Sequence, residues 1–321
     1  VFADFFSSET GPEQAREAEP LGFDSRAWDR LLETGAPGMG VAESSGGGGA
    51  NLADLAVVVE EAGAHIAALP LVDHMVTTRL LARVGACDDD VLAGTTIVGL
   101  AIRPPQDGTA RTVPSGAVAR QVVALDGDAL VLVDSDPGAH LQNHGCLPLA
   151  HRPLAGATGL AKGPDAAATY RLALDEWRTL TASTLVGITR TALDLGVDYA
   201  RERRQFGRPI GSFQALQHRA TEMKIQLELT RAAIAATARR FDTGADVATR
   251  AAGAARCKLR AADLAMLVSR EAVQMHGAMG ITDEADIGLF VRKAMTEANL
   301  FGSPRQQRRL LATRLDQEEA A

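Results

Sequence analysis

The chain has 321 residues, 46% hydrophobic and 23% charged, the balance of an ordinary globular protein and too long for one small core. Its formal net charge of -7 argues against non-specific nucleic-acid binding, which needs a basic surface to displace counterions. The three scattered cysteines, Cys87, Cys146 and Cys257, give neither a disulfide framework nor a zinc site, so a reducing compartment, most simply the cytoplasm, is expected.

No basic-then-apolar leader and no apolar run of membrane-spanning length is read in the sequence. Asp24 to Glu33 has apolar residues at helical spacing, and Gly35, Pro37, Gly38 and Gly40 break the chain after it. The run Gly46-Gly47-Gly48-Gly49 lacks the Lys-Ser/Thr ending and the preceding strand of a phosphate-cradling loop, and reads as a flexible connector. Asn51 is placed to cap a helix running through Leu55 and Val59 to Leu69, with Pro70 marking its end. A further helix is expected over about Val72 to Val84.

The period then changes. Thr95 to Ile102, Arg120 to Leu125 and Ala129 to Val133 are short, apolar and partly β-branched, with Asp126-Gly127-Asp128 as a hairpin turn between the last two. Arg111 to Val113 is too short to assign. This β region is expected to end near Asp175. Helices follow: Trp177 to Gln205, Ser212 to about Phe241, Asp246 to Gly277, Glu284 to Leu300 and Pro304 to Glu318. Long helices joined by short turns predict an up-and-down bundle. The expected architecture is mostly α. It has an N-terminal helical domain over residues 1–94, a small reduced β middle domain over 95–175 and a C-terminal helix bundle over 176–321.

Arg201, Arg203, Arg204 and Arg208 cluster at a helix end, before a Gly/Pro turn and the start of a new helix. Arginine forks match phosphate oxygens, and the new helix offers free N–H groups and a positive dipole end. On composition alone the same cluster reads as a solvated helix C-terminus. The segment R-x-x-F-G-x-P-I, Arg203 to Ile210, followed by Phe213-Gln214, resembles the C-terminal bundle of acyl-CoA dehydrogenases. Ala272-Val-Gln-Met-His-Gly-Ala-Met-Gly-Ile281 is similar to that family's A-V-Q-x-x-G-G-x-G segment, with Ala278 in place of the second glycine of the pair.

The resemblance implies FAD at a subunit interface. Arg203, Arg204, Gln205, Phe206, Phe213 and Gln214 would contact its diphosphate and adenosine end, and Gln274 and Gly277 the same end from another bundle. Arg178 matches an arginine near the family's acyl-CoA site, and reads equally as a surface charge at a helix start. His276 would bond a phosphate or cap its own helix end, the second being favoured. His140 and His144 are four apart but lie in a Gly/Pro-bounded loop with no third ligand evident, so no metal site is expected.

Family enzymes take a proton from the α carbon with a carboxylate while hydride leaves the β carbon for the flavin. The matching base position is Phe301, which accepts no proton, and the alternative base position is Trp177. Glu176 and Glu297 are the neighbouring carboxylates, and no T-E-P-x-x-G-S-type flavin-ring segment is found. The resemblance is therefore to the shortened, non-catalytic subunit of heteromeric bacterial, notably actinobacterial, acyl-CoA dehydrogenases of steroid side-chain degradation. It implies an α2β2 assembly with a complete dehydrogenase subunit and a shared FAD, acting on an acyl-CoA. Electron transfer flavoprotein would be the acceptor. The alternatives are a homomeric dehydrogenase with an unrecognised base and a flavin-free scaffold.

Overall fold

The computed structural model describes residues 1–282 and 284–319. The chain divides into two compact units, one of residues 1–12, 56–67 and 179–321, the other of residues 13–55 and 68–178. The helices α4 (Leu52–Ala64) and α7 (Pro164–Glu202) contribute several residues to each, and the helix that starts at Pro12 has that one residue in the first. Ahead of α4 come three short helices, α1 (Phe2–Glu9), α2 (Pro12–Glu17) and α3 (Ser25–Leu32).

Helix starts follow their side-chain caps. Asp24 accepts from the Ala27 N–H and opens α3. Asn51 and Asp54 exchange side-chain-to-backbone bonds of 2.9 and 3.0 Å, a reciprocal cap that opens α4. That helix ends at Ala64, short of the expected Leu69, and α5 (Leu71–Arg83) begins directly after Pro70. The glycine run is bonded rather than loose. The N–H groups of Gly47, Gly48 and Gly49 donate to the carbonyls of Ala42, Gly38 and Val41.

In the second unit, a short helix α6 (Asp89–Ala93) precedes the strands. A four-stranded sheet runs β1 (Val98–Leu100), β3 (Gln121–Asp126), β4 (Ala129–Asp134), β6 (Thr158–Lys162). β1 lies parallel to β3, and the other pairs are antiparallel. β2 (Thr109–Val113) pairs with β5 (Ala150–Pro153) beside it. The β3–β4 hairpin closes on Gly127-Asp128, with Gly127 at φ 61°, as the sequence predicts. Ala101, Val113, Val122, Ala124 and Val133 are among the residues of the local core. Arg152, 1% exposed, gathers the carbonyls of Gly116, Ala119, Arg120 and Ser135 and the Ser135 hydroxyl. The Gly116 and Arg120 carbonyls also accept the backbone N–H groups of Gly138 and Ser135, so the guanidinium adds donors to a loop that the backbone satisfies only in part.

β5 and β6 carry no apolar alternation to read, since β5 has His151 and Arg152 and β6 is mostly exposed. The expected β region to Asp175 is corrected: α7 begins at Pro164, just after Gly163. Its first turns are alanine-rich and give little periodic signal, while proline suits the first helical position.

The first unit is a helical bundle of the second part of α7, α8 (Gln214–Asp242), α9 (Val247–His276), α10 (Ile287–Asn299) and α11 (Pro304–Glu319). α9, capped by Asp246, packs against α8, α10 and α11. Its buried face is largely alanine, including Ala254, Ala255, Ala261, Ala262 and Ala265. Gly63 of α4 and Gly187 of α7 let those helices touch: a Cβ on Gly187 would stand 1.9 Å from the Glu60 carbonyl oxygen. Arg190 bridges Glu60 and Glu61 across the contact, and Arg231 of α8 reaches Glu60 at 3.0 Å. α10 starts at Ile287 rather than Glu284.

Candidate functional site

The arginine-rich turn follows directly on α7. β7 (Arg204–Gln205) and β8 (Arg208–Pro209) pair with Phe206-Gly207 as the two-residue turn, at φ 53° and 79°. Positive φ at both positions is the geometry that lets the two strands turn back tightly, and it is unusual for a phenylalanine. The turn holds Phe206 90% exposed, edge-on to Phe213 with ring centroids 6.1 Å apart. The Arg208 guanidinium lies 4.2 Å over the Phe213 ring. α8 then starts without a side-chain cap.

The end of α9 meets this turn. Tyr199 stacks on His276 with centroids 4.4 Å apart and planes 24° off parallel. His276 Nδ1 is 2.8 Å from the Ala272 carbonyl, so the ring bonds its own helix end. Gly277 takes φ 62°, ψ -138°, and nothing stands within 4 Å of where its Cβ would be.

Two hollows adjoin here. The larger, about 320 Å³, has Phe206, Phe213, Leu216 and Met275 as apolar walls and the amides of Gln205 and Gln274 at its edges. Arg219 and Glu271, paired at 3.2 Å, also line it. The smaller, about 220 Å³, is lined by Tyr199, Arg203, His276 and Gly277. Gln205, Ile210 and Met275 belong to both. Aromatic walls with amide edges suit a flat heteroaromatic ring, and an exposed arginine beside an open glycine suits an anionic group. Among the described residues, Arg203 and Arg204 form no ion pair.

Arg203, Gln205, Phe206, Phe213, Gln274 and Gly277 are thus brought together on one chain. The resemblance has Gln274 and Gly277 contact the same end of FAD from another bundle at a subunit interface. Arg204 is exposed on β7, and Gln214 is the exposed first residue of α8; neither is among the lining residues of these two hollows. Tyr199, Arg219, Glu271 and Met275 were missed, although Glu271, Gln274 and Met275 share one face of α9 at helical spacing.

Arg178 lies in the other unit, well inside α7, its side chain 11% exposed and paired with Asp175. The reading of it as a surface charge at a helix start is corrected: a helix that begins earlier carries the residue into a buried turn. Glu176 is 1% exposed and bonded by both Arg79 and Arg83. Burial raises its carboxyl, but the guanidiniums of Arg83 and Arg79 outweigh it and bring it down to about 2. A carboxylate so held is a poor proton acceptor, which removes Glu176 as a base. Trp177, 2% exposed, donates its indole N–H to Asp73. Phe301 follows α10 at φ 58°, where the Gln307 amide binds its carbonyl at 2.9 Å. Buried Lys258 holds the preceding turn through the carbonyls of Glu297 and Ala298.

A reduced β region with long bundle helices, an arginine hairpin and an aromatic hollow defines the helical dehydrogenase fold. The family description "Acyl-CoA dehydrogenase, C-terminal domain" matches residues 166–315, and "Acyl-CoA dehydrogenase, N-terminal domain" matches residues 1–88. The chain belongs to the acyl-CoA dehydrogenase family. It is 34% identical over 304 residues to acyl-CoA dehydrogenase IpdE2 of Mycolicibacterium smegmatis, covering 94% of this chain and 92% of the relative. It is 32% identical to IpdE2 of Mycobacterium tuberculosis, covering 96% and 93%. Among solved structures it resembles a chain of the Tcur3481-Tcur3483 steroid ACAD G363A variant, with TM-score 0.89, 25% identity and coverage of 100% and 97%. A chain of the ChsE4-ChsE5 complex from Mycobacterium tuberculosis shares the fold, with TM-score 0.87, 22% identity and coverage of 98% and 95%. No described helix is long and apolar enough to cross a membrane.

Proposed function

We propose that this chain is the non-catalytic subunit of a heteromeric acyl-CoA dehydrogenase and completes the FAD site of a complete partner subunit. The observation that carries this reading is the pairing of a kept hollow with lost bases. Arg203, Phe206, Phe213, Gln274 and Gly277 line the hollows, while the resemblance aligns Phe301 and Trp177 with the family's two base positions.

The residues present fit the distal half of FAD. Arg203 is exposed and forms no ion pair among the described residues, Gly207 and Gly277 have open space where a Cβ would project, and Phe206 offers an uncovered ring. Bound FAD would supply the hydride acceptor for α,β-dehydrogenation of an acyl-CoA thioester. This chain's part is to hold the diphosphate with Arg203, to leave room for it at Gly277, and to flank the adenosine with Phe206, Phe213 and Gln274. Arg204 and Gln214 would reach the same end from the exposed edge of the turn. Arg178 and the partner's pocket would bear on the acyl-CoA.

The two-protein steroid ACAD among the similar structures supports a heteromeric assembly and a steroid-derived acyl-CoA, and the assembly proposed is α2β2. Electron transfer flavoprotein is the acceptor expected of such an enzyme. Co-expression with a complete dehydrogenase subunit from the same gene neighbourhood, followed by mass and FAD measurement, tests the reading. A heterotetramer with one FAD per pair is expected. Stoichiometric FAD and acyl-CoA oxidation by this chain alone would overturn it and return the search for a base to Glu297.

A further inference from the structure

A hollow of about 420 Å³ in the other unit lies between the segment from Gly40 to Asn51 and one face of α5. Its walls include Arg79, Arg83, Val41, Ala82, Ser45 and Asn51. Both arginines reach the single buried carboxylate of Glu176. Two guanidiniums on one carboxylate leave one positive charge in excess. The arginine side chains are 14% and 29% exposed, so water compensates that charge in part. Arg79 Nε is buried without a hydrogen-bond partner.

Acidic side chains near the rim include Asp54, which accepts from the Asn51 backbone N–H at 3.0 Å, and Glu43. A Cβ on Gly49 would stand 3.3 Å from its Oε1, yet Glu43 is exposed and forms no ion pair with either arginine among the described residues. The backbone is already committed: the N–H groups from Gly46 to Ala50 all donate within the segment Gly38–Glu43. The glycine run is therefore no phosphate cradle, and side chains must supply the donors. Asn51 uses its Oδ1 on the Asp54 N–H, which leaves its amide N–H groups to donate.

We propose that this hollow binds a small organic oxyanion, a carboxylate or phosphate ester, on Arg79, Arg83 and Asn51, with its body against Val41 and Ala82. The hollow is larger than a bare inorganic ion requires, and its apolar patches suit a short aliphatic body. The site is built wholly from residues 40–83 and residue 176, so it stands whether or not the FAD reading above holds.

The experiment is calorimetric titration of the purified protein, alone or with its partner, with inorganic phosphate and with butyrate. Saturable one-to-one binding of at least one probe below about 10 mM is expected. Butyrate alone would identify a carboxylate ligand, and phosphate alone a phosphorylated one. Arg83→Gln should weaken binding about tenfold or more, and Glu43→Gln should tighten it. Ala82→Leu fills the hollow without touching the ion pairs, so it should abolish binding in a folded protein even if Arg83→Gln fails to fold. No saturable binding of either probe, or binding undiminished in Ala82→Leu, would overturn the proposal.

Discussion

The Trp177 indole donates to Asp73 at 2.7 Å, with the two residues 2% and 8% exposed. Trp177, which the sequence resemblance sets at one of the family's base positions, thus serves as a hydrogen-bond donor to a buried carboxyl group. Trp177→Phe keeps most of the volume and removes this bond. Loss of a charge-assisted buried bond costs about 1.5–3 kcal/mol, so a thermal midpoint several degrees lower is expected. An unchanged midpoint would mean that the Asp73 contact contributes nothing to stability.

Glu176 predicts an acid limb to stability. Its carboxyl is depressed from 4.5 to about 2, so its contribution is complete above about pH 4.5 and is lost as pH falls toward 2. Glu176→Gln leaves Arg79 and Arg83 as uncompensated like charges, which costs about 3–5 kcal/mol near neutral pH. Denaturant titrations from pH 6 down to pH 3 should show a flatter acid slope in the variant than in the parent. Equal slopes would show that the carboxylate is not ion-paired in solution.

Arg152 ties β5 to the loop of residues 116–120 and to Ser135 through the carbonyls of Gly116, Ala119, Arg120 and Ser135. Arg152→Lys has no planar fork to reach them together and takes the guanidinium donors from the Ala119 and Ser135 carbonyls. Destabilisation of about 3 kcal/mol or more is expected, with faster amide exchange in β2 to β5 and little change in α8 to α10. Uniform exchange throughout the chain would contradict a local role.

Phe206 is so exposed that its truncation should change stability by less than about 0.5 kcal/mol. If the proposed function is right, Phe206→Ala and Arg203→Ala both lower the FAD content of the complex, the arginine variant by about tenfold in affinity or more. Flavin fluorescence after gel filtration reads this directly. Full FAD retention in both variants, in an intact complex, would favour a scaffold role.

What the sequence determined by itself was local. Asp24, Asn51 and Asp246 fix helix starts because a cap needs only its own next residues. Gly127-Asp128 fixes the hairpin, and the arginine turn was legible because a tight turn is written in consecutive residues. Tertiary structure decided the rest. β5 and β6 exist because distant strands pair with them, not through their own alternation. Arg178 became buried, and Glu176 became a held carboxylate, through helix register and through arginines almost a hundred residues away in the chain. Gln274 and Gly277 joined Arg203 and Phe206 because the end of α9 meets the end of α7 within one bundle. Burial and long-range charge are properties of packed neighbours, and those neighbours become known only when the chain is folded.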